Sequence, residues 1–220
     1  MDLTLYIGNK NYSSWSLRPY LALKAAKLSF REEKILLRKP DTKDNLLAIS
    51  SAGRVPILRD GDLVIWESLA ICEYAAELAP EAQLWPLDKK AKAMARAIST
   101  EMHNGFPLIR QYLPMDITND RHHQSRVRDA YPDVQRIQEL WESCLIKSGG
   151  PFLFGHFTIA DAMYAPVVSR FHTYRVPVTP ILKQYIETVF LFPAFVEWHN
   201  DALHEERNFI FPVLEEKLAQ

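Results

Sequence analysis

The sequence predicts an α/β segment built on one mixed sheet, followed by an all-helical segment. Three observations carry that expectation. Strand-like and helix-like signals alternate through residues 1–80 and end in a hairpin. A proline-bearing stretch, Ala79-Pro80 to Trp85-Pro86-Leu87, then interrupts the pattern. Beyond it the apolar residues recur at helical spacing and give no convincing strand.

Leu3-Thr4-Leu5-Tyr6-Ile7 reads as the first strand, and Leu17, Leu21, Ala25 and Leu28 mark one face of the helix that follows. Glu33 to Leu37 reads as a second strand. Asp41 to Ile49 reads as a short helix with Asp41 as N-cap behind Pro40. Pro56-Ile57-Leu58-Arg59 and Leu63-Val64-Ile65-Trp66 flank Asp60-Gly61-Asp62, a hairpin signal. Ser68 to Leu78 closes the segment as a helix. The order is βαβαββα, and the terminal hairpin excludes a purely parallel, doubly wound sheet. The expected division is therefore 1–80, a linker at 81–88, and helices from 89 to 220. Lys89–Tyr112 is expected to break near Gly105 and Pro107. Asp129–Lys147, Thr158–Tyr174, Ile181–Val189 and Phe195–His204 follow as helices, while the polar residues 119–128 read as a loop or a solvated helix end.

Charge and composition narrow the function. The chain has 26 Lys/Arg, 27 Asp/Glu and a formal charge of −1. Residues 1–80 carry 11 basic and 10 acidic groups, so neither segment shows the basic excess of a nucleic-acid binder. Only 7 of 220 residues are glycine, and no phosphate-cradling glycine motif occurs. The longest apolar run, Val189 to Val196, contains Pro193 and falls far short of the ~18 residues of a membrane span. Met1-Asp2-Leu3 opens into a strand without a basic leader. Cys72 and Cys144 form no redox or zinc spacing. No nucleic acid, membrane or metal is expected, and a cytoplasmic location is. His122-His123 lacks further ligands and reads as surface decoration.

Four motifs remain. Asn11-Tyr12-Ser13-Ser14-Trp15-Ser16-Leu17-Arg18-Pro19 lies between the first strand and the first helix. Proline is tolerated in the first turn of a helix, so this helix is expected to start at 16–19 with Ser16 as its cap. Ser13 and Ser14 would then be free on the loop at the strand's carboxyl end. Gly53-Arg54-Val55-Pro56 opens the third strand, where the residues alone predict an ordinary trans bond. Glu67-Ser68 begins a helix. Ser68 is well placed as its cap, and the free N–H groups there suit a carboxylate while Glu67 suits an ammonium. Thr158 and Asp161 have capping-box spacing and read as structural.

In this order, the four motifs resemble the glutathione transferase superfamily along the whole chain. Glu67-Ser68-Leu69-Ala70-Ile71-Cys72-Glu73-Tyr74 looks much like that family's third helix. The resemblance implies a thioredoxin-like domain followed by a helical domain, usually in a homodimer, with glutathione as co-substrate and no permanently bound cofactor. It implies a cis Val55-Pro56 bond with the Val55 backbone pairing to glutathione's cysteinyl unit. Glu67 and Ser68 would hold the γ-glutamyl head, and Arg54 the glycine end. The Ser13-Ser14-x-Ser16-x-Arg18 pattern is most similar to serine-type classes, including zeta, which makes Ser14, with Ser13 second, the group that stabilises the thiolate. Trp15 replaces a cysteine of the zeta pattern, and Phe106 and Arg110 stand where polar Gln and Asn are usual; these departures count against maleylacetoacetate isomerase activity. Trp15, His103, Phe106 and Arg110 are expected to line an electrophile pocket, which Arg110 would bias toward anions. Arg18 reads as a structural or interface charge. Conjugation of glutathione to small electrophiles is the function implied; isomerase, peroxidase and non-catalytic binding are the alternatives.

Overall fold

A computed structural model describes residues 2–121 and 124–205. The His122-His123 pair lies outside the described residues. Strands β1 (Leu3–Ile7), β2 (Phe30–Lys34), β3 (Ile57–Asp60) and β4 (Leu63–Trp66) form one sheet in the order β2-β1-β3-β4. β1 runs parallel to β2 and antiparallel to β3, and β3 is antiparallel to β4. Helices α1 (Ser14–Ala25), α2 (Thr42–Leu47) and α3 (Ser68–Leu78) complete the thioredoxin-like βαβαββα order.

Two of these elements differ from the sequence expectation. β2 covers 30–34 and not 33–37, because it is an edge strand that is exposed over most of its length. Its place is set by backbone pairing, Leu3 opposite Phe30 through Ile7 opposite Lys34, so apolar content carries no signal for it. Helix α1 starts at Ser14, which leaves Pro19 inside the helix. Proline removes the N–H that would bond the Trp15 carbonyl. The loss is tolerated because α1 is clamped by α3 on one side and by the helical segment on the other.

The remainder is helical: α4 (Lys89–Asn104), α5 (Pro107–Tyr112), α6 (Gln124–Asp129), α7 (Tyr131–Ser148), α8 (Ile159–Thr173), α9 (Pro180–Phe190) and α10 (Pro193–Leu203). The break between α4 and α5 falls where Gly105 and Pro107 place it. Helix α6 occupies part of the polar stretch expected to be a loop or helix end. Helix α8 is the axis of the core: nearly every residue is buried, and it packs against α1, α4 and α9. Its start is the expected capping box. Asp161 accepts from the Thr158 amide at 2.8 Å and the Thr158 hydroxyl at 2.9 Å. It also accepts from the Leu153 amide at 3.0 Å and the Tyr185 hydroxyl at 3.2 Å. No described helix is long and apolar enough to cross a membrane.

Candidate active site

The serine loop sits between β1 and α1 and is held from both ends. Ser13 is the N-cap of α1: its hydroxyl accepts from the Ser16 amide at 3.4 Å and donates to the Ser16 hydroxyl at 2.7 Å. Ser16 is fully buried and accepts from the Gly8 amide at 3.0 Å. The expected division of labour is therefore corrected. Ser13 is the cap, and Ser16 ties the helix to the end of β1. Ser14 is the first helical residue, and among the described residues its hydroxyl has no hydrogen-bond partner. It sits where the unpaired N–H groups and dipole of α1 favour negative charge.

Residues distant in sequence fix this loop. Lys10, 2% exposed, pairs through Nζ with Glu32 at 2.8 Å and Asp201 at 2.6 Å. The amides of Lys10 and Asn11 donate to the Glu205 carboxylate at 2.8 and 3.1 Å, and the Trp198 indole donates to the Lys10 carbonyl at 2.9 Å. Asn11 reaches across to the helical segment, donating to Asp116 at 2.9 Å.

The second and third motifs lie at the neighbouring strand ends. The Val55-Pro56 bond is cis, against the ordinary trans bond the residues alone predict and as the family resemblance implies. Arg54 is exposed, with Nη1 3.8 Å from Glu67. Glu67 has a φ of 70°, a left-handed conformation that costs a non-glycine residue about 1–3 kcal/mol. That backbone turns its carboxylate toward the helical segment, where Oε2 lies 3.4 Å from Nε2 of His103. Ser68 does not cap α3; Glu67 holds the N-cap position without a side-chain bond, and the Ser68 hydroxyl is buried with no hydrogen-bond partner among the described residues.

Trp15 organises the opposing wall. His103 meets its ring edge-on at 5.3 Å, and the guanidinium groups of Arg18 and Arg110 lie 4.3 and 4.8 Å from its centroid. Three of the four expected pocket residues thus gather. The fourth, Phe106, turns inward, is 6% exposed and packs on Tyr164. Arg110 also closes the end of α4, donating to the carbonyls of Met102, His103 and Gly105. Burial, then the charge of Arg18, lower the pKa of His103, against the opposing pull of Glu67. Arg18, read from the sequence as a structural or interface charge, donates to the Met163 carbonyl of α8 at 3.2 Å. Arg18 is completely buried beside Trp15. Its position in the run Leu17-Arg18-Pro19-Tyr20-Leu21, in a helix without a polar face, was the available signal.

Residues 12–78 match the model of the glutathione S-transferase N-terminal domain, and 124–201 that of the C-terminal domain. The chain is 30% identical over 202 residues to glutathione S-transferase Z2 of Arabidopsis thaliana, covering 84% of this chain and 88% of that one. It is 28% identical over 200 residues to a probable maleylacetoacetate isomerase of Caenorhabditis elegans, covering 90% and 92%. A Burkholderia glutathione transferase homolog, solved with bound glutathione, shares the fold with a TM-score of 0.72 at 24% identity, covering 94% of this chain and all of that one. The chain belongs to the glutathione S-transferase family.

Proposed function

We propose that this protein conjugates the thiolate of glutathione to small electrophiles, with the Ser14 hydroxyl stabilising the thiolate. In the reaction the sulfur forms a bond to the electrophilic carbon and the leaving group departs with its electron pair. The observation that carries this reading is the division among the three serines. Ser13 and Ser16 satisfy one another, while the Ser14 hydroxyl, at the N-terminus of α1, is unpaired among the described residues. A thiol of pKa ≈ 8.5 is only a few per cent ionised at pH 7. Lowering it by about 2 units requires ~2.7 kcal/mol. A hydroxyl donating to the anion supplies about 1.5–3 kcal/mol, and the helix terminus a further ~0.3–1 kcal/mol. No proton-relay triad is needed.

In this reading residues 1–80 hold glutathione, with Val55 pairing to its backbone, Glu67 and Ser68 at the γ-glutamyl head and Arg54 near the glycine carboxylate. Ser68's unpartnered hydroxyl and Glu67's strained backbone support that assignment. Residues 81–88 link to a helical domain, 89–220, that contributes the electrophile wall of Trp15, His103 and Arg110. The working form is a cytoplasmic homodimer. Isomerisation is the second reading, favoured by the similarity to the C. elegans protein named a probable maleylacetoacetate isomerase. There the same thiolate would add reversibly to a carbon–carbon double bond.

Titrating the ultraviolet absorbance of bound thiolate against pH tests the mechanism. Ser14→Ala is expected to raise the bound thiol's pKa by about 1–2 units. A shift in Ser13→Ala alone would move the role to Ser13, and no shift in either variant would remove serine from the mechanism. Turnover assays with an aryl halide and with a cis-alkene diacid separate transfer from isomerisation.

A further inference from the structure

Three arginines from three helices lie close enough to repel one another, and two of them, Arg18 and Arg110, stack on Trp15. Arg18 of α1 is fully enclosed; its Nε donates to the Met163 carbonyl at 3.2 Å, and among the described residues Nη1 and Nη2 have no hydrogen-bond partner. Arg170 of α8, 4% exposed, donates Nε to the Leu113 carbonyl at 2.7 Å and leaves Nη1 unpartnered. Arg110 of α5 completes the group and acts electrostatically on both of the others. Among the described residues none of the three joins a salt bridge. The Asp133 carboxylate bears only on Arg110. The acidic side chains facing Arg18 and Arg170 are Cys72, Tyr164 and Tyr174, and burial raises the pKa of each, which keeps them neutral.

A buried guanidinium retains its proton, so its charge has to be met by another charge or it remains a large net cost. Like-charge neighbours add to that cost. Burial and the repulsion from Arg110 together lower Arg170 to about 9. The planar forks of guanidinium groups match the paired oxygens of a carboxylate or phosphate.

We propose that the junction of α1, α5 and α8 is a binding site for a small oxyanion, held by the Nη groups of Arg18 and by Nη1 of Arg170. Arg18 lies four residues after Ser14, one helical turn along the same face. An electrophile anchored there by a carboxylate would present its reacting carbon beside the Ser14 hydroxyl. That consequence rests on the proposed transferase reading, whereas the anion site itself does not. The oxyanion is either a free ion such as phosphate or a carboxylate of the substrate.

The test uses the full-length protein at constant ionic strength, titrated with sodium phosphate and separately with 4-chloro-3-nitrobenzoate. Tryptophan emission is read because Trp15 stacks on Arg18. A saturable change is expected with at least one anion, absent in Trp15→Phe. Its midpoint should rise at least tenfold in Arg170→Met and stay unchanged in Arg175→Met, an exposed arginine paired with Asp120. Should Arg170→Met not fold, Arg170→Lys, which keeps the charge and loses the fork, is expected to raise the midpoint several-fold. The second arm compares glutathione conjugation of 4-chloro-3-nitrobenzoate and its amide, a substitution that forms the carbon–sulfur bond and releases chloride. A tenfold preference for the acid that disappears in Arg170→Met assigns the anion to the substrate. Saturation without that preference assigns it to a free ion. No saturable response to either anion overturns the site. No turnover of either compound overturns the transferase reading and leaves the titration to decide the site.

Discussion

Asp161 sets two opposing effects against each other, and replacing it with Asn measures which prevails. The residue is fully buried. Desolvation raises its carboxyl from 3.8 to about 6, against the downward pull of hydrogen bonds from Leu153, Thr158 and Tyr185. With the folded value above the unfolded one, its contribution is fully present below about pH 4 and is lost as pH rises through about 6. The shift of about 2 units corresponds to roughly 3 kcal/mol, of which about 2.5 kcal/mol should be lost between pH 4 and pH 8. Asp161→Asn cannot ionise. At pH 4 it differs from the neutral acid by only about 1 kcal/mol, the scale of one hydrogen bond. Wild type is therefore expected to be the more stable at pH 4 and to lose about 2.5 kcal/mol relative to the variant by pH 8. Urea denaturation of both proteins across that range gives the difference, in which all other titrating groups cancel. A gap that widens in favour of wild type as pH rises would refute the reasoning, because it would mean that the four donors outweigh burial.

Ser68→Ala is expected to leave the melting temperature unchanged or slightly raised, since an unpartnered buried hydroxyl costs about 1–3 kcal/mol. The same change should weaken glutathione binding about tenfold by calorimetry, or ~1.4 kcal/mol. A lowered melting temperature with unaltered affinity would return Ser68 to a purely structural role. Arg110→Met removes charged donors from the carbonyls at the end of α4 and should cost roughly 1.5–3 kcal/mol in urea denaturation. An unchanged midpoint would show that these contacts contribute nothing.

Strands β1 and β3 and the long helices were legible because their apolar residues recur against a core, and β4 because its apolar run follows the Asp60-Gly61-Asp62 hairpin signal. Strand β2 was misplaced because an edge strand of sequence Phe-Arg-Glu-Glu-Lys buries almost nothing. Within the serine motif, residue types identified the loop, yet Pro19 pointed to a later helix start. Tertiary packing on both sides of α1 overrides that local preference, and Ser13 takes the cap that Ser16 was expected to supply. Trp15, His103 and Arg110 come from α1, α4 and α5, so their gathering rests on the packing of three helices and on the break at Gly105 and Phe106. The inward turn of Phe106 depends on its left-handed backbone, φ 61°, which no pattern of residue types announces. The burial of Arg18 was not anticipated and Arg170 was not singled out, because it is the packing of α1 on α8 that encloses both.

The clamp on Lys10 and Asn11 has a consequence for the order in which the chain acquires its form. The partners of these residues in α10 and just beyond it lie 188 to 195 positions later. At a synthesis rate of about 5–20 residues per second, they leave the ribosome roughly 10–40 seconds after the loop does. The sheet can assemble from residues 3–66 in that interval, but the segment bearing Ser14 has to wait for Trp198, Asp201 and Glu205 before its geometry is set. A chain that ends ahead of α10 lacks every one of these late partners of Lys10 and Asn11, so the serine loop loses the contacts that fix its start.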